Sequence, residues 1–301
     1  MSDRPFEGME DAKRLLLRAR PDAEFFDFTD TLNLYRGCNH GCVYCDSLSE
    51  CYHIEDFHRV RVKKDALALL KRELSARRRP GVVMMGAASD PYNALEEGLC
   101  VTRGALELLL KHGFGVGMST KSALIARDRD VLARFRGVAP CWTAFSITTG
   151  EDALAKLLEP HAAPPSRRFE AMRALADAGV LTGTWLNPML PFLTDGEENV
   201  LDVIRRTREN GGRFVLCHFG MTLRTGDRES FYRALDANPR FAGVKQRYVE
   251  AFGLNYLCPS PWAGERYALL RAECERLGLC CAYEQVNRLA REGCPTQLSM
   301  W

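Results

Sequence analysis

The sequence has almost no net charge, no long hydrophobic run and no apolar stretch near its first residue. Its 301 residues include 41 lysines and arginines against 39 aspartates and glutamates, which gives a formal net charge of +2. No global field therefore attracts the protein to nucleic acid or to a membrane surface, and local basic runs such as Arg167–Arg168 are expected to be solvated helix ends. No stretch approaches the roughly 18 apolar residues of a membrane span, and nothing resembles a signal peptide. We expect a cytoplasmic protein with a sizeable core.

Cysteine is abundant, with twelve residues, which without export are expected to be thiols or metal ligands. Cys38, Cys42 and Cys45 form the compact pattern C-x3-C-x2-C. A [4Fe-4S] cluster normally takes four thiolates, so a loop that offers three leaves one iron open to bind a small molecule. The main alternative is structural zinc, which needs four ligands, usually in two pairs. Because His40 lies inside a tight loop and Cys51 is more distant, the spacing favours an iron-sulfur loop.

Short apolar runs alternate with stretches of helical periodicity, the pattern of βα units around a parallel sheet. The candidate strands are Leu32–Leu34, Val82–Met85, Gly115–Ser119, Thr143–Ile147, Leu181–Leu186 and Phe214–His218. Between them, four stretches with apolar residues three and four apart predict helices. These stretches are Leu67–Leu74, Leu106–Leu110, Phe169–Leu175 and Val200–Ile204. Six units are too few for a closed eight-stranded barrel, so the pattern predicts an α/β partial barrel.

Helix-start signals precede two of these predicted helices. Pro164–Ser166 has the prolines that favour a first helical turn, and it opens the third helix. Asp195 followed by Glu198 resembles a capping box ahead of the fourth helix.

Polar residues follow the ends of several predicted strands. In βα barrels the working surface lies at the carboxyl ends of the strands, and the three cysteines follow the first of them. Ser89, Lys121, Ser146 and Asn187 lie at or just past the ends of the second to fifth strands. We therefore expect these residues to converge with the cysteines on one mouth of the barrel.

The cysteine loop, with the aromatic Tyr44 before its last cysteine, resembles the signature of radical S-adenosylmethionine (SAM) enzymes. Its surroundings are similar to those of the spore photoproduct lyase-like branch, and the matching segments occur in family order. They are Leu34–Cys38 (LYRGC), Ser89–Asn93 (SDPYN), Ser119–Ser122 (STKS), Phe145–Thr149 (FSITT), Leu158–Pro160 (LEP) and Asn187–Pro191 (NPMLP). The resemblance implies a (βα)6 TIM-like barrel of the radical SAM type.

The resemblance also implies which residues bind the cofactors. Cys38, Cys42 and Cys45 would hold a [4Fe-4S] cluster, whose fourth iron would chelate the amino and carboxylate groups of SAM. Tyr44 would lie near the adenine of SAM, and Ser89 near its amino group.

Three further residues are assigned to SAM by the same resemblance. Lys121 offers a compact positive charge for the carboxylate, Ser146 would hydrogen-bond the same cofactor, and Asn187 would border it. Each of the polar residues has an ordinary alternative: Ser89–Pro91 is also a turn sequence, Lys121 could lie on the surface, and Ser146 could be a satisfied core hydroxyl.

The implied activity is reductive cleavage of SAM to a 5'-deoxyadenosyl radical that abstracts hydrogen from a substrate. Damaged DNA, in a lyase-like repair reaction, is one substrate class, and a peptide or small metabolite is the alternative. A non-catalytic iron-sulfur redox sensor is the alternative function. An electron donor such as flavodoxin or ferredoxin is also implied.

One departure from the family pattern concerns the hydrogen donor. Where spore photoproduct lyase has a cysteine shortly before the Ser-Asp pair, this chain has Ala87 and Ala88.

The remaining regions are assigned as additions to the barrel. We predict an N-terminal extension over residues 1–30, the barrel over 31–220, and a mostly helical C-terminal capping region over 221–301. Its helices are predicted over 228–252 and 262–277. Five cysteines of this C-terminal region lack any compact C-x2-C pair, which argues against a second cluster. They are Cys258, Cys274, Cys280, Cys281 and Cys294.

The last residues, Gln297–Trp301, resemble the peptides by which bacterial polymerases dock on the sliding clamp. We hypothesise that the sliding clamp is also a partner of this protein.

Overall fold

The computed structural model describes residues 8–19 and 27–295. The strands are β1 (Met9–Glu10), β2 (Leu16–Arg18), β3 (Asp30–Leu32), β4 (Tyr35–Arg36), β5 (Arg61–Lys63), β6 (Val82–Met85), β7 (Gly115–Thr120), β8 (Cys141–Ser146), β9 (Thr182–Leu186), β10 (Val215–Cys217), β11 (Gly220–Thr222) and β12 (Leu257–Pro259). The α-helices are α1 (Ala66–Ser75), α2 (Glu96–Leu99), α3 (Val101–Lys111), α4 (Arg129–Ala133), α5 (Asp152–Leu158), α6 (Pro165–Asp177), α7 (Glu197–Glu209), α8 (Asp227–Ala237), α9 (Val244–Phe252), α10 (Ala263–Leu277) and α11 (Tyr283–Arg291). Short 3₁₀ helices occur at Asp46–Leu48, Glu50–Tyr52, Ala123–Asp128 and Pro239–Phe241.

A seven-stranded sheet with the order β10-β9-β8-β7-β6-β3-β2 is the frame of the molecule. Six of its strands are parallel to their neighbours, namely β3, β6, β7, β8, β9 and β10. The seventh strand, β2, pairs antiparallel with β3 at the edge. Chain order and spatial order agree along the parallel strands, and a helix-containing segment connects each strand to the next. Because the sheet ends at β10 and β2, it is the predicted partial (βα)6 barrel.

The outer face of the sheet is covered by the helices whose periodicity the sequence shows. Leu70 of α1, Leu106 of α3, Met172 of α6 and Ile204 of α7 have no exposed surface. Burial of a side chain of this size contributes roughly 1.5–3 kcal/mol. These helices therefore hold the strands in place from the outer face, and with them the positions of the strand ends.

The amino-terminal end of the inner face is filled by side chains and by α11, a helix that the sequence did not predict. Trp142 and Phe214, at the starts of β8 and β10, form one buried cluster with Val286 of α11. Gly117 of β7 lies against the Trp142 ring, where a Cβ would come within 2.2 Å of a ring carbon. Side chains therefore occupy this end of the inner face, and the cysteine loop lies at the opposite end, where the strands have their carboxyl ends.

Two local predictions are corrected by the structure. The first strand ends at Leu32 rather than Leu34, and β4 lies between it and the cysteines, paired with β5 in a separate small sheet. The capping box is also wrong: α7 follows Gly196 without a side-chain cap. Asp195 instead accepts hydrogen bonds from the backbone N–H of Phe192 at 2.8 Å and from the hydroxyl of Ser260 at 2.6 Å. The third predicted helix does begin at its prolines.

The segment from β11 to β12, called the cap below, packs over the cysteine loop. The predicted helix over 228–252 is divided into α8 and α9, and the one over 262–277 is α10. Phe231 and Tyr248 of the cap are fully buried and belong to the same apolar cluster as Cys42 and Tyr44. The cap therefore shields the loop from water.

Nothing in the described ranges is a helix both long enough and apolar enough to cross a bilayer. The clamp-like segment Gln297–Trp301 and, within the predicted N-terminal extension, residues 1–7 and 20–26 lie outside the described residues.

Candidate cofactor site

The loop that carries Cys38, Cys42 and Cys45 is held by backbone hydrogen bonds from several directions. The N–H of Cys38 donates to the carbonyl of Phe57 at 2.9 Å, and the N–H of Val43 donates to the carbonyl of Leu158 at 3.0 Å. Cys42 is buried, the other two cysteines are half-buried, and all three are free thiols. The loop thus presents three thiols from a backbone that neighbouring segments fix in place.

Two glycines make this path of the loop possible. Gly37 and Gly41, beside the first and second cysteines, have φ angles of +79° and +71°, which residues with a Cβ rarely adopt. A Cβ on Gly37 would lie 2.5 Å from the carbonyl oxygen of Phe57 and 2.7 Å from that of Arg59. Both neighbours are backbone atoms, so they cannot move aside as a side chain can.

The Gly37→Ala substitution is therefore expected to displace Cys38 and to lower the iron content of the purified protein several-fold. The left-handed backbone alone costs about 1–2 kcal/mol for a residue with a Cβ, and the collision adds to that cost. Iron and sulfide assays on anaerobically purified protein measure the effect. Gly98→Ala is the matched control, because a Cβ there meets no atom within 4 Å; equal iron in both variants would contradict the expectation.

Burial controls the titration of the three thiols. It raises the pKa of Cys38 to about 12, with a further contribution from the Asp90 carboxylate. Burial also raises the pKa of Cys42 and Cys45, whereas the positive charge of Lys121 lowers both. The thiols influence one another as well, so they lie close together. Because ligation requires thiolates, metal binding here would release protons and would be assisted by Lys121.

Lys121 follows β7 and is partly buried beside the cysteines, as the strand-end argument predicts. Its backbone N–H donates to Asp90 at 2.8 Å, and its Nζ lies 5.6 Å from the centroid of the Tyr44 ring. Burial opposes the charge of this ammonium, but the Cys42 thiolate and the Glu159 carboxylate raise its pKa overall. The side chain therefore places a positive charge between the cysteines and Tyr44.

Ser89 and Asp90, which follow β6, tie the loop to the sheet. The hydroxyl of Ser89 donates to the carbonyl of Gly37. Asp90 accepts from the hydroxyl of Thr120 at 2.7 Å, and its Oδ2 lies 3.4 Å from Nδ1 of His40 within the loop. The predicted turn at Ser89 is thus also the contact between the second strand and the cysteine loop.

A buried network that the sequence did not predict lies on the other side of Tyr44. The Tyr44 hydroxyl donates to Glu159, and Glu159 also accepts from the guanidinium of Arg168. Arg168 further donates to the carbonyl of Ser146, the last residue of β8, at 2.7 Å. The prediction that Arg167–Arg168 is solvated is wrong for Arg168, which is only 1% exposed.

Asn187, at the end of β9, lies on the same edge of the sheet as the other strand-end residues and precedes a cis peptide bond to Pro188. Its side chain is half-buried. The strand ends therefore bring Lys121, Ser146 and Asn187 to the mouth beside which the cysteine loop lies.

The donor set suits an iron-sulfur cluster. No group of three His, Cys, Asp or Glu side chains in residues 8–19 and 27–295 is arranged to hold a single metal ion. A cubane cluster binds each thiolate through a different iron, so its cysteines do not converge on one point. Three clustered free thiols beside the partly buried Lys121 ammonium fit such a group.

A concavity of about 1450 Å³ opens beside the cysteine loop. The loop residues Asn39, His40 and Gly41 line it, together with Tyr92 and His161, whereas none of the three cysteines does. The backbone between the first two cysteines therefore separates this solvent-accessible space from the thiols.

Two exposed tyrosines flank an arginine where the chain leaves the cysteine loop. Arg224 of the cap donates to the hydroxyl of Tyr256 at 2.7 Å and to the Cys51 sulfur at 2.9 Å. Its guanidinium carbon lies 4.5 Å from the Tyr256 ring centroid and 5.8 Å from that of Tyr52. The Tyr52 hydroxyl donates to Asp46, the residue after Cys45. This Tyr-Arg-Tyr group therefore borders the loop on its cap side.

Comparisons relate this chain to a protein family and to several relatives. The model of the radical SAM superfamily matches residues 32–204. An uncharacterised protein of Mycobacterium tuberculosis is 30% identical over 252 residues, which cover 80% of this chain and 72% of that protein. An uncharacterised protein of Methanocaldococcus jannaschii is 28% identical over 168 residues, 55% of this chain and 62% of that protein.

Two solved structures share the fold at low sequence identity. Spore photoproduct lyase complexed with dinucleoside spore photoproduct matches with a TM-score of 0.65 and 15% identity, covering 90% of this chain and 80% of that one. A radical SAM methyltransferase of Kitasatospora setae, with cobalamin and a [4Fe-4S] cluster bound, has a TM-score of 0.54 and 12% identity, covering 87% and 60%.

Proposed function

The chain belongs to the radical SAM superfamily, and we propose that its cysteine loop binds the [4Fe-4S] cluster of a radical SAM enzyme. The observation that carries the proposal is the grouping of three free thiols with Lys121 and Tyr44 at the strand ends. When bound and reduced, the cluster supplies the electron that cleaves SAM to methionine and a 5'-deoxyadenosyl radical, which then takes a hydrogen atom from the substrate.

The residues around the cysteines have roles that follow from their contacts. The Lys121 ammonium would pair with the carboxylate of SAM. Its charge lies close enough to Cys42 and Cys45 to lower the pKa of both thiols, and SAM would bind to the cluster that these cysteines hold. Tyr44 offers an aromatic face beside that cation. Ser146 and Asn187 would complete the wall from the neighbouring strands, and Ser89 would contribute mainly by holding the loop at Gly37.

Exclusion of water is the second task of the chain. Cys42 and Tyr44 share an apolar cluster with Leu158, Leu190 and Met221, of which the last belongs to the cap. A primary carbon radical takes hydrogen from any accessible C–H or S–H group, so a closed surrounding that keeps other molecules out favours its reaction with the substrate. The electron must come from a reduced partner, and we propose that a flavodoxin or ferredoxin approaches by the concavity beside the loop.

Formation of 5'-deoxyadenosine tests the proposal. Anaerobically reconstituted protein, incubated with dithionite and SAM, is expected to release 5'-deoxyadenosine and methionine, measured by chromatography and mass spectrometry. An iron-sulfur redox sensor without a SAM site would accept electrons from dithionite but release neither product.

We propose a nucleic-acid lesion as the substrate, in a photoproduct-lyase-like reaction. Arginine flanked by aromatic rings is well suited to contact bases and phosphates, and the Tyr-Arg-Tyr group lies beside the cysteine loop. Spore photoproduct lyase, which shares the fold, has been solved with a dinucleoside photoproduct. Ala87 and Ala88 in place of the hydrogen-donating cysteine require a different donor, so the final step would differ from that of the lyase.

Replacing Arg224 with glutamine is expected to reduce the stimulation of 5'-deoxyadenosine formation by ultraviolet-irradiated DNA about tenfold, because both the charge and the stacked plane are lost. The comparison is made against unirradiated DNA, with Arg233→Gln on the exposed surface of α8 as the control. If irradiated DNA fails to stimulate the wild-type protein at all, a peptide or small metabolite becomes the substrate class to pursue.

A further inference from the structure

Arg168 and Glu159 form an ion pair that is almost completely enclosed, with 1% and 2% of their surfaces exposed. Besides Glu159, the guanidinium of Arg168 has two backbone partners: Nε donates to the carbonyl of Ala163 and Nη1 to that of Ser146, both at 2.7 Å. The second oxygen of Glu159 accepts from the Tyr44 hydroxyl. One pair therefore connects the end of β8, the segment before α6 and the cysteine loop.

The Glu159 carboxylate interacts with a second cation besides its partner Arg168. Glu159 is influenced by two cations, Arg168 and Lys121; burial alone would raise its pKa, but these charges lower it overall. Burial and the adjacent carboxylate raise the pKa of the Tyr44 hydroxyl well above its ordinary value, so this group remains a neutral hydrogen-bond donor. The arrangement keeps Glu159 ionised and fully hydrogen-bonded from both sides.

Stability alone is a poor explanation for such a pair. Enclosing two charges has a large desolvation penalty, and apolar residues of similar volume are often as stable or more stable in their place. What apolar residues cannot do is fix the direction and separation of three chain segments through hydrogen bonds. The segments that this pair connects carry Tyr44 and Ser146, two residues that we assign to the SAM site.

We propose that Glu159 and Arg168 are positioning residues that set the separation between Tyr44 and Ser146, so that the SAM pocket is formed before SAM binds. Neither residue is required to contact the cofactor. The proposal rests on the proposed function, because it concerns the same site. A pocket held in its binding geometry avoids the ordering penalty that a loose pocket incurs on binding.

The decisive variant is the apolar double substitution Glu159→Leu with Arg168→Met. It removes both charges together, so no unpaired ion remains buried, and it preserves most of the volume. We expect wild-type iron content and an unfolding temperature within a few degrees of the wild type, but SAM affinity reduced about tenfold or more. Affinity is measured from the change that added SAM causes in the electron paramagnetic resonance spectrum of the reduced cluster.

The same helix supplies a matched control. Arg167 and Glu170 form an exposed ion pair in α6, one residue away from Arg168, and the double substitution Arg167→Met with Glu170→Leu is expected to leave SAM affinity unchanged. Tyr44→Phe, which removes only the hydroxyl that contacts Glu159, is expected to weaken SAM binding in the same direction and by a smaller factor.

Each result decides between a positioning role and a structural one. SAM affinity and a SAM-dependent spectrum equal to the wild type in the apolar double variant would overturn the proposal. If that variant loses its cluster or does not fold, Glu159→Gln decides between the two roles. This substitution keeps the shape of the side chain but removes its charge and one acceptor oxygen. We expect full iron content with SAM binding several-fold weaker, whereas unchanged SAM binding would refute the proposal. A wild-type cluster that does not respond to SAM would contradict the proposed function itself, which is a separate outcome.

Discussion

The Cys42→Ala variant is expected to lose its iron-sulfur cluster and to form no 5'-deoxyadenosine above background. Cys42 is the buried member of the three cysteines and lies within the apolar cluster beneath the cap. Only two thiols of the loop would remain, which are too few to hold a cubane cluster that normally takes three or four thiolates. Iron and sulfide content, visible absorption and 5'-deoxyadenosine yield after anaerobic reconstitution measure the loss.

A second cysteine variant separates this effect from a general loss of thiols. Cys100 is exposed at the start of α3, remote in sequence from the loop, and Cys100→Ala is expected to keep wild-type iron and activity. A Cys42→Ala protein that retained four irons per chain and cleaved SAM would show that other residues bind the cluster.

The Lys121→Met variant is expected to keep its cluster and to bind SAM roughly ten- to a hundredfold more weakly. Methionine preserves the length of the side chain but removes the ammonium, and a hydrogen bond to a charged group contributes about 1.5–3 kcal/mol. Loss of the cation also removes the influence that lowers the pKa of Cys42 and Cys45. Titration of the reduced protein with SAM, followed by paramagnetic resonance, gives the affinity.

Lys71→Met, on the exposed face of α1, is the control for this variant, because it removes the same charge from a solvent-exposed helix surface. Wild-type SAM affinity in Lys121→Met would mean that the carboxylate of SAM has another partner. Loss of the cluster in Lys121→Met would instead assign the lysine to the stability of the thiolates.

The centre of the fold could be predicted from the sequence because parallel strands buried on both faces read as continuous apolar runs. Val82–Met85 has the bounds of β6, and the predicted β7 and β9 differ by one residue at one end. Strand-end placement also pointed to Lys121, which lies beside the cysteines, and to Ser146, which is linked to Tyr44 of the loop through Arg168 and Glu159. These predictions depend on local pattern and on one general property of βα barrels.

The features that could not be predicted depend on contacts between distant segments. Arg167 and Arg168 are adjacent and identical in type, yet only Arg168 is enclosed, because its direction from α6 meets Glu159 and the end of β8. The helix α11 has a single fully buried residue, Val286, and its place on the inner face of the sheet depends on Trp142 and Phe214 from other segments. The sequence does mark Glu159, which lies in the LEP motif at Leu158–Pro160. The resemblance assigns that motif no role, so the pairing of Glu159 with Arg168 is seen only in the structure.

The central claim is that an iron of the cluster is left open by the protein and binds SAM. Paramagnetic resonance of the reduced cluster, with SAM carrying a magnetic oxygen isotope in its carboxylate, tests this most directly. We predict hyperfine coupling between the isotope and the cluster in the wild-type protein. A reduced cluster with no coupling at saturating SAM, or one coordinated entirely by side chains, would contradict the account.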